Sequence, residues 1–94
     1  MKTIEEYTQE CRDAAQIAVH ETHNRADDVR KRCGTVCLLA DGALTRHPGT
    51  GDYTEAVTEM LAEVKRMSRD MEELRDAAEA AKHHSAALAY IMEG

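Results

Sequence analysis

The sequence predicts an all-α protein: an antiparallel hairpin of two long helices that assembles further into a four-helix bundle or higher homo-oligomer. Three observations carry that reading. First, apolar or small residues recur at Val57, Met60, Val64, Met67, Met71, Leu74, Ala78, Ala81, Ser85, Leu88 and Met92 in steps alternating between three and four. That is the heptad spacing of a helix packed lengthwise on another. Second, a matching stripe runs through the first half: Ile4, Tyr7, Cys11, Ala14, Ala15, Ala18, Thr22, Ala26, Val29, Cys33, Val36, Ala40 and Leu44. Third, one reversal stands between them, His47-Pro48-Gly49-Thr50-Gly51. Pro48 disfavours helix at His47, and the glycines permit a sharp turn.

The first helix is expected from about residue 4 to about residue 45. Thr3-Ile4-Glu5-Glu6 has the capping-box arrangement, with Thr3 as N-cap and Glu6 three residues later. The stripe continues through Gly34 and Gly42, although each glycine costs about 1 kcal/mol relative to alanine in a helix interior. A break at Gly34 is the alternative. The second helix is expected from about residue 53 to about 92, with Asp52 and Glu55 repeating the capping box. In a hairpin turning between them, residues whose numbers sum to about 99 lie level.

Ninety-four residues make a single domain, here 1–94, with no Trp, no Phe and only Tyr7, Tyr53 and Tyr90 as aromatic rings. Such a chain has little bulk for a core, and oligomerisation is the expected remedy. Ala77, Ala80, Ala87 and Ile91 form a second apolar face beside the heptad stripe, and with His84 and Leu88 they make the expected subunit interface. His84, lying on that face, is expected to be an interface histidine and a pH-sensitive one. Ile17, Leu38 and Leu39 fall away from the first stripe and are candidates for binding another protein.

The formal net charge of −6 argues against a general nucleic-acid binder and against a basic membrane-surface helix. No apolar run approaches the roughly 20 residues of a membrane span, and Met1-Lys2-Thr3-Ile4-Glu5-Glu6 has no hydrophobic signal region. Cysteines number three, Cys11, Cys33 and Cys37, without the spacing of a disulfide framework. All three fall on the first stripe and are expected to be buried free thiols. A cytoplasmic protein is expected.

Arg25, Arg30, Lys31 and Arg32 come level with Lys65, Arg66, Arg69 and Arg75. Such a belt could hold a phosphorylated small molecule or nucleotide, or an acidic protein surface. The opposing expectation is internal salt-bridging, because Asp27, Asp28, Glu63, Asp70, Glu72 and Glu73 are interleaved at helical spacing. His20 and His23 face Asp76 and Glu79 with His83 and His84 one turn on. They are read as surface histidines rather than metal ligands. Paired-carboxylate magnesium spacing is half present: Glu73 and Asp76 read ExxD, but Glu6/Glu10 and Glu59/Glu63 are ExxxE. No nucleophile motif and no phosphate-cradling glycine loop occurs.

The functional expectation is therefore a non-enzymatic regulator, adaptor or inhibitor that binds proteins as a homo-oligomer, a dimer first of all. No cofactor, metal or catalytic residue is assigned. Partner-binding candidates are Arg25, Arg30, Arg32, Lys65, Arg66, Arg69, Leu38 and Leu39. A nucleotide-binding oligomer using the basic belt is the first alternative, and a metal-dependent all-α enzyme the second.

Overall fold

A computed structural model describes residues 1–93. It consists of α1, Ile4–Leu44, and α2, Gly51–Glu93, of 41 and 43 residues. The two helices pack against each other as the expected antiparallel hairpin. Helix α1 runs through Gly34 without a break. A Cβ at Gly34 would meet nothing, so this position faces solvent and the helix there depends on its neighbours' propensity.

The helix ends follow from local chemistry. Thr3 caps α1 by accepting the Glu6 amide on its hydroxyl at 3.1 Å. At the other end, the Thr45 and Arg46 amides turn back to the carbonyls of Gly42 and Ala43, and the Arg46 guanidinium also donates to the Gly42 carbonyl at 2.7 Å. Gly49 adopts φ +88°, a conformation that side chains resist and glycine accepts freely. The second cap corrects the sequence reading. Thr50, not Asp52, accepts the Tyr53 amide, at 3.2 Å, while donating its own hydroxyl to the His47 carbonyl. Thr50 reaches the third helical amide because Gly49 has already reversed the chain. Asp52 then lies in the first turn, where its charge suits the helix dipole.

Two compact units divide the chain: Met1–Arg25 with Glu73–Gly94, and Ala26–Glu72. In the Ala26–Glu72 unit the half-buried and buried rows are Val29, Arg32, Val36, Leu39 and Ala43 on α1, and Ala56, Met60, Glu63, Met67 and Asp70 on α2. In the other unit they are Cys11, Ala15, Ala18, Thr22 and Arg25 on α1, and Leu74, Ala77, Ala81, His84, Leu88 and Ile91 on α2. Steps of three and four hold throughout, as a heptad seam requires.

The seam is displaced from the expected one. On α2 the row Met60, Met67, Leu74, Ala81 and Leu88 faces inward as expected. Its companion row is Ala56, Glu63, Asp70, Ala77, His84 and Ile91 rather than Val57, Val64, Met71, Ala78, Ser85 and Met92. On α1, Arg25 and Arg32 replace Ala26 and Cys33, and Ala43 replaces Leu44. Among the described residues the buried core is Ala18, Ala43, Ala56 and Ala77, and no side chain is fully buried. The inward row is buried at its alanines, Ala56 and Ala77, and brings the polar side chains of Glu63, Asp70 and His84 to the seam. Cys33 and Cys37 are consequently exposed, and only Cys11 is half-buried. The expectation of three buried thiols is corrected accordingly.

Candidate functional site

Within the Ala26–Glu72 unit, α1 presents Arg32 to the seam and α2 presents Glu63 and Asp70, one heptad apart. The guanidinium donates from Nε to Asp70 at 2.5 Å and from Nη1 to Glu63 at 3.0 Å. Arg32 is level with the gap between its two acceptors, so one planar fork serves both carboxylates. Both carboxylate side chains are well covered, at 17% and 16% exposure, against 32% for Arg32. Arg66, one turn further along α2, also donates to Glu63.

These contacts set the charge states. The hydrogen bond from Arg32 holds the Glu63 carboxyl below the ordinary glutamate range, with partial burial opposing it and Arg66 assisting. Asp70 first, and Glu63 second, raise the Arg32 guanidinium above its already high ordinary value. Outside the seam, Lys31 and then Arg30 hold Asp27 below the ordinary aspartate range, Lys31 at 3.0 Å.

Of the remaining basic candidates, Arg25 belongs to the other unit and bonds Glu21 at 2.8 Å and Glu73 at 2.9 Å. Arg30 pairs with Asp27 and Arg66 with Glu63. Lys65 and Arg69 are exposed and make no ion pair among the described residues. The pairs across the seam, Arg25–Glu73 in one unit and Arg32 between Glu63 and Asp70 in the other, agree with level positions summing to about 99.

Leu38 and Leu39 lie beside the loop and differ from each other. Leu38 is 73% exposed and Leu39 is half-buried in the seam. With Gly42, Arg46, Asp52, Glu55, Ala56 and Glu59 they line a groove of about 350 Å³. Leu38, Leu39 and Gly42 line it from α1, Arg46 follows from the loop, and α2 contributes Ala56 with the carboxylates of Asp52, Glu55 and Glu59. Ile17, in the other unit, is 68% exposed.

The expected subunit-interface residues lie in the Met1–Arg25 and Glu73–Gly94 unit. Ala77, Leu88, His84 and Ile91 sit on the intrachain seam rows, while Ala80 and Ala87 flank them half-buried. Ala77 is already covered by its own chain, which corrects the picture of it as part of a separate outward face. The His83 and His84 rings meet edge-on with centroids 5.7 Å apart. His20 is exposed beside Val19, Ala81 and Ser85. Among the described residues no group of three or more His, Cys, Asp or Glu side chains converges as a metal site would require.

Sequence reasoning passed over Glu63 and Asp70 as seam residues. The signal was present: the row 56, 63, 70, 77, 84, 91 has the same spacing as the row chosen, but carries two acids and a histidine. No described helix is long and apolar enough to cross a membrane. Comparison with family models, with curated proteins and with solved structures returned no match.

Proposed function

We propose that this protein is a non-enzymatic interaction protein, a regulator, adaptor or inhibitor that acts by binding another protein through the groove beside its loop. The observation that carries the reading is Leu38, a large apolar side chain left 73% exposed beside Arg46, Asp52, Glu55 and Glu59. A groove with a leucine at one wall and three acids at the other suits an amphipathic segment bearing Lys or Arg next to a bulky apolar residue. Single exposed leucines are common on protein surfaces. One set in a groove with unpaired carboxylates is better suited to a partner than to water.

The basic belt favours this reading over a nucleotide site. Arg25, Arg30, Arg32 and Arg66 are each paired with a carboxylate of the same chain, which leaves exposed Lys65 and Arg69 as the candidate belt residues without an ion pair among the described residues. A panel of mono-, di- and cyclic nucleotides is expected to leave the melting temperature unchanged. We place the protein in the cytoplasm, since exposed free thiols at Cys33 and Cys37 persist in a reducing compartment.

The deciding experiment compares affinity capture by the wild type, Leu38→Glu and Ile17→Glu. A protein retained by the wild type and by Ile17→Glu, and lost with Leu38→Glu, supports the groove. Equal retention by all three removes it.

A further inference from the structure

The displaced seam leaves one reactive pair of side chains outside the sites described above. Cys33 and Cys37 are both free and exposed, whereas Cys11 is half-buried in the other unit. They stand four residues apart on α1, which is continuous from Ile4 to Leu44. Residues so spaced are neighbours on a helix surface, with Cβ atoms about 5–6 Å apart. At Gly34, in the turn between them, a Cβ would meet nothing within 4 Å, so the surface beside the pair is open.

That spacing decides between two reactions of a dithiol. A disulfide needs Cβ atoms about 3.5–4.5 Å apart, so closing one would unwind a turn of α1. A single ion set between the two sulfurs adds two metal–sulfur bonds to the span, and exposed side chains are free to rotate toward it. The donor count then selects the ion. Asp41 is the next ligand-type side chain along the row, but eight residues of helix put it about 12 Å from Cys33. No group of three or more His, Cys, Asp or Glu converges among the described residues. Structural zinc takes four ligands, and magnesium and calcium take oxygens. Two thiolates alone suit a soft cation of low coordination number, which is copper(I).

We infer that Cys33 and Cys37 form a two-thiolate site for copper(I), one ion per chain. Both thiols release their protons to water and both sulfurs bond the ion. Copper keeps its oxidation state, so no oxidant or reductant enters. The bound ion ties one turn of α1 to the next across Gly34, the position of lowest helix propensity in that stretch.

The test titrates the full chain with copper(I), without oxygen, against the chelator bicinchoninate. The wild type and Cys11→Ser are expected to withdraw one copper per chain, to keep the sedimentation mass of the metal-free protein and to melt at a higher temperature. Cys33→Ser and Cys37→Ser each keep one sulfur of the pair. They are expected to bind at least about tenfold more weakly, because the second bond no longer forms within the chain. Thr35→Cys combined with Cys37→Ser restores two thiols at exposed positions but sets them on opposite sides of the helix. It is expected to bind as weakly as the single serine variants.

Copper left wholly with the chelator overturns the inference. So does a relocated pair that binds like the wild type, since thiol number and not spacing would then be the cause. A rise in mass on adding copper overturns it too, because the ion would be bridging two chains.

Discussion

The two units of this hairpin solve the same packing problem with different chemistry. In Met1–Arg25 with Glu73–Gly94 the seam sets Ala15, Ala18 and Thr22 opposite Ala77 and Ala81, with Leu74, His84, Leu88 and Ile91 completing the α2 row and Arg25 reaching Glu73 at its edge. In Ala26–Glu72 the seam carries Val29, Val36, Leu39, Met60 and Met67 and is interrupted by Arg32 between Glu63 and Asp70. Alanine rows hold helices by close approach and small contacts, with little to fix their register. A guanidinium between two acids adds little net stability but ties one position of α1 to two of α2, and a one-residue slip would leave charges unpaired. The first unit is packed; the second is keyed.

That contrast can be broken at its strongest point. Arg32→Met leaves Glu63 and Asp70 half-buried without their shared donor, and should lower the melting temperature on the order of 5–10 °C. Combining Arg32→Met with Glu63→Leu and Asp70→Leu should recover most of that loss, because an apolar trio needs no partner, while relaxing the register. Thermal melts of the single and triple variants check the first part, and amide exchange over 26–72 the second. The same keying has a pH signature. Glu63 and Asp27 titrate below their unfolded values, so the folded state binds fewer protons than the unfolded chain near and below pH 4.5. Their contribution is present above the unfolded values and lost as the pH falls through the folded ones. Acid should therefore loosen Ala26–Glu72, and Glu63→Gln should flatten that response.

In the packed unit the sensitive position is Ala77. Ala77→Leu inserts three carbons where two backbones nearly touch, and should destabilise by about 1–3 kcal/mol. Urea denaturation measures it. The same replacement at exposed Ala89 should have little effect, and equal costs at both positions would dissolve the distinction between seam and surface. The smallest expected change is Gly34→Ala. Nothing stands within 4 Å of the new methyl group, so only helix propensity is gained, about 0.5–1 kcal/mol. A loss instead would show that Gly34 relieves a bend in α1 that its exposed position does not reveal.

Much of the fold was legible because heptad spacing survives inspection by eye. Both helices, the hairpin, the Thr3 cap and the level pairs followed from spacing, one proline and helical geometry. The second cap was missed by two residues because Thr50 and Asp52 are both good caps, and the conformation of Gly49 decides between them. The site was less legible. Leu38 stood out as a leucine off the stripe, but Leu39, its neighbour, proved to belong to the seam. Arg32, Glu63 and Asp70 were readable as neighbours by level, yet their inward orientation was not. Charged residues are assigned outward by default, and a trio that satisfies itself across a seam defeats that default.

What the sequence determined by itself was the kind of element and its partner: two helices of similar length, antiparallel, in a fixed register. Periodicity of 3.5 and a single turn suffice for that. Which of two adjacent heptad rows turns inward was settled only in the tertiary structure. The rows beginning at Ala56 and Val57 are equally periodic, and a two-helix seam has room for one of them. The structure turns the row of Ala56 and Ala77 inward, and there Glu63 and Asp70 meet Arg32. Val64 and Met71 were left exposed and Val57 half-buried.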